Sequence, residues 1–208
     1  MPLKRPYTIV LTGGPCAGKT TLLERLRAAN TIMGRQVLFV PEAATMLVHR
    51  GLVIGQDVVH FQTETMRLQL QLESEAWEQA GKQNAPCLVV CDRGTLDGAG
   101  YCTREEFEAI AAGFGQNRST LAARYDLVVH LASAAVDNPS AYTLENNHAR
   151  HETLEQAVEQ EHRTLQAWAG HPNRAIVSSA TSFEEKISQA IHVIERAVSA
   201  YQPAADQT

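Results

Sequence analysis

A segment near the start of the chain has the residue types and spacing of a phosphate-binding loop, G-x-x-x-x-G-K-[ST]. It consists of Gly13, Gly14, Pro15, Cys16, Ala17, Gly18, Lys19 and Thr20. Glycines let such a backbone curl until successive N–H groups face phosphate oxygens, and the following helix directs its N-terminal dipole at the same charge. In this arrangement the Lys19 ammonium reaches the β- and γ-phosphates and the Thr20 hydroxyl coordinates Mg²⁺. The spacing predicts a nucleoside triphosphate site that also includes Thr21, and we interpret the triphosphate as ATP.

Two carboxylates follow other strand-like runs and could take part in the same chemistry. Asp92 comes directly after the apolar run Leu88–Cys91, a position that faces Mg²⁺ in phosphate-loop proteins. Glu42 closes an earlier run and could accept a proton from a hydroxyl that attacks the γ-phosphate. Each has a plainer interpretation, because Asp92 could cap a helix or turn and Glu42 could favour a helix N-terminus through the dipole.

The elements that must position these residues alternate along the chain. Apolar runs of strand length recur between longer segments with helical periodicity, at Tyr7–Leu11, Val37–Val40, Cys87–Cys91, Leu127–Leu131 and Ala175–Val177. Near-continuous apolar strands that alternate with helices indicate a parallel sheet covered on both faces. The predicted fold is therefore a three-layer α/β/α P-loop NTPase fold with a five-stranded parallel sheet.

The segment Asp57–Ala80 has helical periodicity with apolar residues on two opposite faces. Such a helix is either sandwiched within the protein or part of an oligomer contact, so a homodimer stays open. Between the two faces runs a polar strip of Gln62, Gln69 and Glu73. This strip either lines a pocket or forms a solvated edge.

Composition limits the classes of function. The chain has 208 residues, 44% of them apolar, which suits one well-packed core, so we predict a single domain over residues 1–201 and a frayed tail over 202–208. A net charge of −5 argues against a nucleic-acid partner. No apolar stretch approaches the length of a membrane span, and four cysteines are compatible with a reducing compartment, so we expect a cytoplasmic protein without a membrane partner.

Several short motifs, taken in order, resemble a known family. They are the phosphate loop, then Val40-Pro41-Glu42-Ala43-Ala44, then Asp92-Arg93-Gly94 with Asp97 and Tyr101. This order resembles the NadR-like ATPase/kinase family, typified by a ribosylnicotinamide kinase domain, and it is also similar to deoxynucleoside kinases. The resemblance implies a catalytic base at Glu42, a catalytic pair at Asp92 and Arg93, and nucleobase recognition by Gln62. It further implies that Asp97 and Tyr101 contact the substrate. Asp92-Arg93-Gly94 stands where deoxynucleoside kinases have Glu-Arg-Ser.

The same resemblance implies a lid over about residues 133–150. P-loop kinases carry such a lid after the fourth strand, with arginines that close on the phosphates. Arg150 matches this position because it precedes the predicted helix His151–Trp168. Guanidinium groups suit phosphate, and closure would shield the γ-phosphate from water. The alternative is a surface arginine beside Glu152.

Three functions follow from these observations. The leading one is a kinase that transfers the γ-phosphate of ATP to a nucleoside-like or other hydroxyl acceptor that the sequence does not identify. The second is a nucleotide-dependent binding or signalling protein, and the third is an ATPase without a small acceptor. The guanine-reading motif [NT]-K-x-D is missing from the sequence, which argues against a Ras-like GTPase.

Overall fold

The five apolar runs form parallel strands of one sheet, as predicted. The computed structural model describes residues 5–83, 85–137, 153–178 and 182–201. Within these ranges the strands are β1 (Tyr7–Thr12), β2 (Thr31–Ile32), β3 (Arg35–Val40), β4 (Cys87–Asp92), β5 (Leu127–Leu131) and β6 (Arg174–Val177). The strand order is β2-β3-β4-β1-β5-β6, with only β2 antiparallel to its neighbour. The sequence did not predict β2, because a two-residue strand has no periodicity to detect.

Helices cover both faces of this sheet and complete the predicted three layers. They are α1 (Lys19–Ala29), α2 (Ala43–His49), α3 (Val58–Gly81), α4 (Arg104–Gly113), α5 (Arg118–Ala122), α6 (Ala134–Asp137), α7 (Leu154–Ala167) and α8 (Phe183–Ala200), and a 3₁₀ segment spans Thr95–Gly100. Several begin at local signals in the sequence. Thr103 and Ser182 each form a capping box with the glutamate three residues later, which satisfies N–H groups that have no partner inside the helix.

The alternation of side chains along the strands separates two apolar cores. In β1, Ile9 and Leu11 pack on one face with residues of α1 and α8, including the fully buried Ile194. Val10 lies on the opposite face, in a second core with Phe107 of α4 and residues of α3. Both faces of β1 are covered, so all six of its residues are buried, including its two threonines.

Helix α3 is sandwiched, which is one of the two arrangements that its sequence allowed. Phe61 and Leu68 pack against α2, whereas Met66 and Ala76 belong to the core beneath the sheet. Partners within the chain therefore cover most of its two apolar faces. The homodimer contact considered above is not needed to explain the pattern.

The carboxyl ends of β1, β3 and β4 meet at one edge of the sheet, and each leads into a loop with a predicted site residue. The strand order reverses at β1, since the chain continues to β3 and β4 on one side and to β5 and β6 on the other. Ligands of open α/β sheets bind at such a point. None of the described helices combines the length and apolar character needed to cross a bilayer. Arg150, most of the predicted lid and the tail 202–208 lie outside the described residues.

Ile194 tests the core formed by α8. Its side chain is 0% exposed, so Ile194→Ala removes buried contacts and leaves a cavity, and we expect the free energy of unfolding to fall by about 2–5 kcal/mol. Ile54 provides the same substitution at a site that is 66% exposed, where we expect a change of about 0.5 kcal/mol or less. Urea denaturation of both variants measures the difference. Equal effects would contradict the described packing of α8.

Candidate functional site

The phosphate-loop motif begins directly after β1 and ends in the first turn of α1, in the strand–loop–helix order that the sequence predicts. Its backbone turns through positive φ values at Gly13 (136°), Cys16 (55°) and Gly18 (94°). A side chain at Gly13 is excluded, because a Cβ there would fall 2.1 Å from the carbonyl oxygen of Leu131. Changes of this kind between right- and left-handed backbone conformations turn successive N–H groups into a concave anion site.

Lys19 curls back over this loop. Its Nζ donates hydrogen bonds to the carbonyl oxygens of Gly13, at 2.9 Å, and Gly14, at 3.1 Å. Burial of the ammonium, together with the nearby positive charge of Arg93, lowers the pKa of Lys19 to about 8, although the carboxylates of Glu42 and Asp92 act in the opposite direction. A negatively charged ligand at the loop would therefore stabilise the protonated lysine strongly.

Asp92 is the last residue of β4, at the sheet edge that carries the loop. Its Oδ1 is buried and has no hydrogen-bond partner within the described residues. Burial, then the charge of Glu42, raises the pKa of this carboxyl. An unpaired carboxylate oxygen and the exposed Thr20 are oxygen ligands of the kind that Mg²⁺ prefers.

No cluster of three or more acidic, histidine or cysteine side chains in the described ranges could hold a metal by itself. Mg²⁺ usually takes one or two protein oxygens together with waters and the phosphate oxygens of its substrate. The residues present therefore fit Mg²⁺ bound together with a polyphosphate.

The guanidinium of Arg93 lies between two carboxylates. Its Nε is 2.7 Å from Oε1 of Glu42 and its Nη1 is 3.0 Å from Oδ1 of Asp97. Burial favours the neutral acid at Glu42, but the Arg93 charge and a hydrogen bond from Thr45 outweigh it and lower the pKa of Glu42. Glu42 is therefore a carboxylate at neutral pH.

Asp97 binds protein groups through both oxygens. Oδ1 accepts hydrogen bonds from the Thr12 hydroxyl, at 2.5 Å, and from Arg93. Oδ2 accepts from the backbone N–H of Gly94, at 2.9 Å, and from the indole of Trp168, at 3.2 Å. One buried carboxylate thus joins the end of β1, the turn after β4 and the end of α7. The contact with substrate that the resemblance implied for Asp97 stays a prediction.

A cavity of about 490 Å³ opens beside this ion-pair network, between α2, α3 and the 3₁₀ segment. All five residues expected to contact the acceptor line it, namely Glu42, Gln62, Arg93, Asp97 and Tyr101. Much of the remaining wall is apolar and includes Phe61 and Phe107. Of the polar strip on α3, Gln62 and Gln69 line the cavity and Glu73 is fully buried, so the strip is not a solvated edge and its first two residues form pocket wall.

Hydrogen bonds with residues of α3 and with Tyr125 stabilise the turn that carries Arg93, a role that the sequence did not predict for them. Arg93 has a left-handed backbone, with φ 66°, and its carbonyl accepts a hydrogen bond from Gln69 at 3.2 Å. Gln69 also donates to the fully buried Glu73, which accepts from the Tyr125 hydroxyl at 2.6 Å. The same hydroxyl accepts from the backbone N–H of Thr95 at 2.6 Å. The i, i+4 spacing of Gln69 and Glu73 was a signal in the sequence, but none pointed to Tyr125.

Comparison with known proteins identifies the family. A family described as AAA domain matches residues 8–186, from β1 into α8. No curated protein matches the sequence.

Two solved structures of NadR have a similar fold. The NadR protein in complex with NAD and AMP-PNP is 17% identical, with a TM-score of 0.63 over 95% of this chain and 51% of that one. The NadR protein in complex with NR is also 17% identical, with a TM-score of 0.67 over 96% of this chain and 54% of that one. The chain thus spans about half the length of these NadR chains. The resemblance inferred from the sequence motifs is confirmed at the level of the fold.

Asp97→Asn tests the hydrogen-bond network that the Asp97 carboxylate forms beside Arg93. The amide keeps the size of the side chain but removes the charge and places an N–H₂ group against donors, so we expect the free energy of unfolding to fall by about 2–4 kcal/mol. Asp57→Asn is the matched control, since asparagine caps a helix N-terminus about as well as aspartate, and the change should stay within about 0.5 kcal/mol. Urea denaturation curves of both variants at pH 7 measure these changes in the free energy of unfolding. An Asp97 variant as stable as wild type would contradict the network.

Proposed function

The chain belongs to the AAA domain family, and on this premise we propose that it is a kinase that binds ATP with Mg²⁺ and phosphorylates a hydroxyl of a nucleoside-like small molecule. One observation carries the proposal. A cavity of about 490 Å³ with an ionised carboxylate, Glu42, at its wall lies at the sheet edge that bears the phosphate loop. Phosphoryl transfer needs these two sites to adjoin, because the acceptor oxygen must approach the γ-phosphate in line with the leaving oxygen.

On the donor side, phosphate oxygens would replace the two carbonyl oxygens that now hold the Lys19 ammonium. The backbone N–H groups of the loop from Cys16 to Thr21 would bind the remaining oxygens. Thr20 and Asp92 would hold Mg²⁺, which when bound offsets charge on the β- and γ-phosphates. The AMP-PNP in one NadR complex supports the choice of ATP.

On the acceptor side, Glu42 would take the proton of the acceptor hydroxyl. The hydroxyl oxygen forms the bond to γ-phosphorus, the bond from γ-phosphorus to the β–γ bridging oxygen breaks, and ADP leaves with that oxygen. Arg93 lies 2.7 Å from Glu42 and would offset negative charge that develops between the two sites. We propose that Arg150, which lies outside the described residues, closes on the phosphates from the lid.

The cavity wall supports a nucleoside-like acceptor rather than a phosphorylated one. Apart from His49, the charged side chains of the described residues that line it are Glu42, Arg93 and Asp97. Because Arg93 already pairs with both carboxylates, a phosphate group on the acceptor would meet net negative charge and no available cation. The cavity wall combines the amide of Gln62 with aromatic side chains such as Phe61 and Phe107, a combination suited to a planar heterocycle. The NR in the second NadR complex supports the same class.

Glu42→Gln tests transfer to an acceptor. ADP production is measured with a panel of nucleosides and their monophosphates, and we expect it to depend on one or more of the nucleosides and not on the monophosphates. Loss of the base should lower kcat about 10²- to 10⁴-fold while ATP affinity stays within about twofold. Glu78→Gln, an exposed site on α3, is the control and should behave as wild type. ADP production at the same rate with and without every acceptor would show an ATPase, and ATP binding without turnover would show a binding protein.

Lys19 makes the proposed ATP affinity depend on pH. Its pKa is about 8 in the free protein and a bound polyphosphate would raise it, so binding takes up a proton above pH 8. We expect affinity to be nearly constant up to about pH 7, to be about halved at pH 8 and to fall about tenfold per pH unit above that. Calorimetry of ATP binding in two buffers of different ionisation enthalpy measures the number of protons taken up. Lys19→Met should abolish both this proton uptake and tight binding of ATP. Affinity that stays flat up to about pH 9.5 would contradict this role of Lys19.

A further inference from the structure

A buried carboxylate on α7 contacts the phosphate loop from the protein interior. Glu161 is 3% exposed, and its Oε2 accepts a hydrogen bond from the backbone N–H of Gly14 at 2.6 Å. Its Oε1 lies 2.7 Å from Nε2 of His130, which is at the carboxyl end of β5. Glu161 and Gly14 are 147 positions apart in the sequence, so no local motif predicts this contact.

Glu161 approaches the loop so closely that position 14 has room for glycine but not for a larger residue, although the motif does not require glycine there. Gly14 occupies a variable position of G-x-x-x-x-G-K-[ST]. A Cβ built at Gly14 would lie 2.6 Å from Oε2 of Glu161 and 3.2 Å from its Cα. Since the latter atom is backbone and cannot swing aside, a larger residue at position 14 would separate the loop from α7.

The segment after β5 strengthens the same attachment. The hydroxyl of Ser133 donates to the carbonyl oxygen of Pro15. Burial raises the pKa of Glu161, but hydrogen bonds from His130 and from the backbone N–H groups of Gly14 and Ser133 outweigh it, so the pKa is lowered. The first half of the loop therefore contacts the ionised Glu161 of α7, which in turn contacts β5 through His130, and it also contacts the segment after β5 through Ser133.

His130 holds the carboxylate in place through Nε2 of its ring. It is fully buried, and its Nδ1 has no hydrogen-bond partner within the described residues. A proton on Nδ1 would leave a buried N–H without an acceptor, whereas a proton on Nε2 points at Glu161. The arrangement therefore favours the tautomer that donates to the carboxylate.

Each of the two peptide groups that flank the Gly14 Cα makes a hydrogen bond to a charged side chain. The N–H of Gly14 donates to Glu161, and its carbonyl oxygen accepts from Lys19 at 3.1 Å. If a triphosphate draws the lysine away, only the carboxylate contact remains. We propose that Glu161 is a positioning residue of the phosphate loop, which fixes Gly14 and Pro15 so that the amides of Cys16 to Thr20 keep the orientation that binds phosphate. This inference rests on the proposed triphosphate site.

Glu161→Gln tests the inference on the full chain. Glutamine keeps the side-chain volume but replaces one anionic acceptor with an N–H₂ group, so the variant cannot accept from Gly14, Ser133 and His130 as before. We expect affinity for ATP, and equally for inorganic tripolyphosphate, to fall about tenfold or more, since both use the loop and a charge-assisted hydrogen bond is lost. Glu159→Gln, an exposed position on the same helix, is the control and should bind as wild type. Calorimetry is done at a temperature where circular dichroism shows all variants to be folded.

A second measurement on the wild-type protein covers the case in which the Glu161 variant does not fold. The amide proton of Gly14, observed by NMR in ¹⁵N-labelled protein, should lie downfield and should shift with acid only below the ordinary carboxyl range, because it reports on the Glu161 carboxylate. A folded Glu161 variant with wild-type affinity for both ligands, or a Gly14 amide that does not respond to acid, would overturn the positioning role. Wild-type protein that binds neither ligand would instead overturn the proposed function.

Discussion

The guanidinium of Arg93 is the charge on which the two halves of the site depend. Its side chain is 15% exposed and pairs with both Glu42 and Asp97, and without it these two carboxylates would lack this shared counter-charge. Isolated buried charges are costly, so the arrangement is stable only as a set. Because Glu42 faces the cavity and Asp97 reaches Thr12 at the end of β1, this one cation connects the acceptor cavity to the strand that leads into the phosphate loop.

The charges of the site also explain why it would need a divalent cation. Lys19 and Arg93 face Glu42, Asp92 and Asp97, which is two positive charges against three negative ones. A triphosphate adds further negative charge to a region that has no surplus of cations. Asp92, the last residue of β4, has an oxygen without a hydrogen-bond partner in the described part of the chain, and this oxygen is suited to attract Mg²⁺, which would restore the balance.

Rigid scaffolding behind the site comes from buried polar groups rather than from apolar packing alone. Glu73 and Tyr125 hold the turn at Arg93, and Glu161 with His130 holds the phosphate loop. Each of these bonds joins residues that are at least 24 positions apart in the sequence. Ion pairs and hydrogen bonds have directional preferences that apolar contacts lack, so they can hold a loop in one orientation. The two networks approach the same sheet edge from α3 and from α7.

Local patterns in the sequence predict the parallel strands, the helix caps, the phosphate loop and the order of Glu42, Asp92 and Arg93 along the chain. Each rests on local physics, namely side-chain periodicity, backbone N–H groups at helix ends, and glycines at tight turns. Strand β2 and the contact of Glu161 with Gly14 were beyond such reasoning. The burial of the strip at Gln62 and the contact of Asp97 with Trp168 became visible in the folded chain alone, because contacts between distant residues depend on how the helices are placed against the sheet.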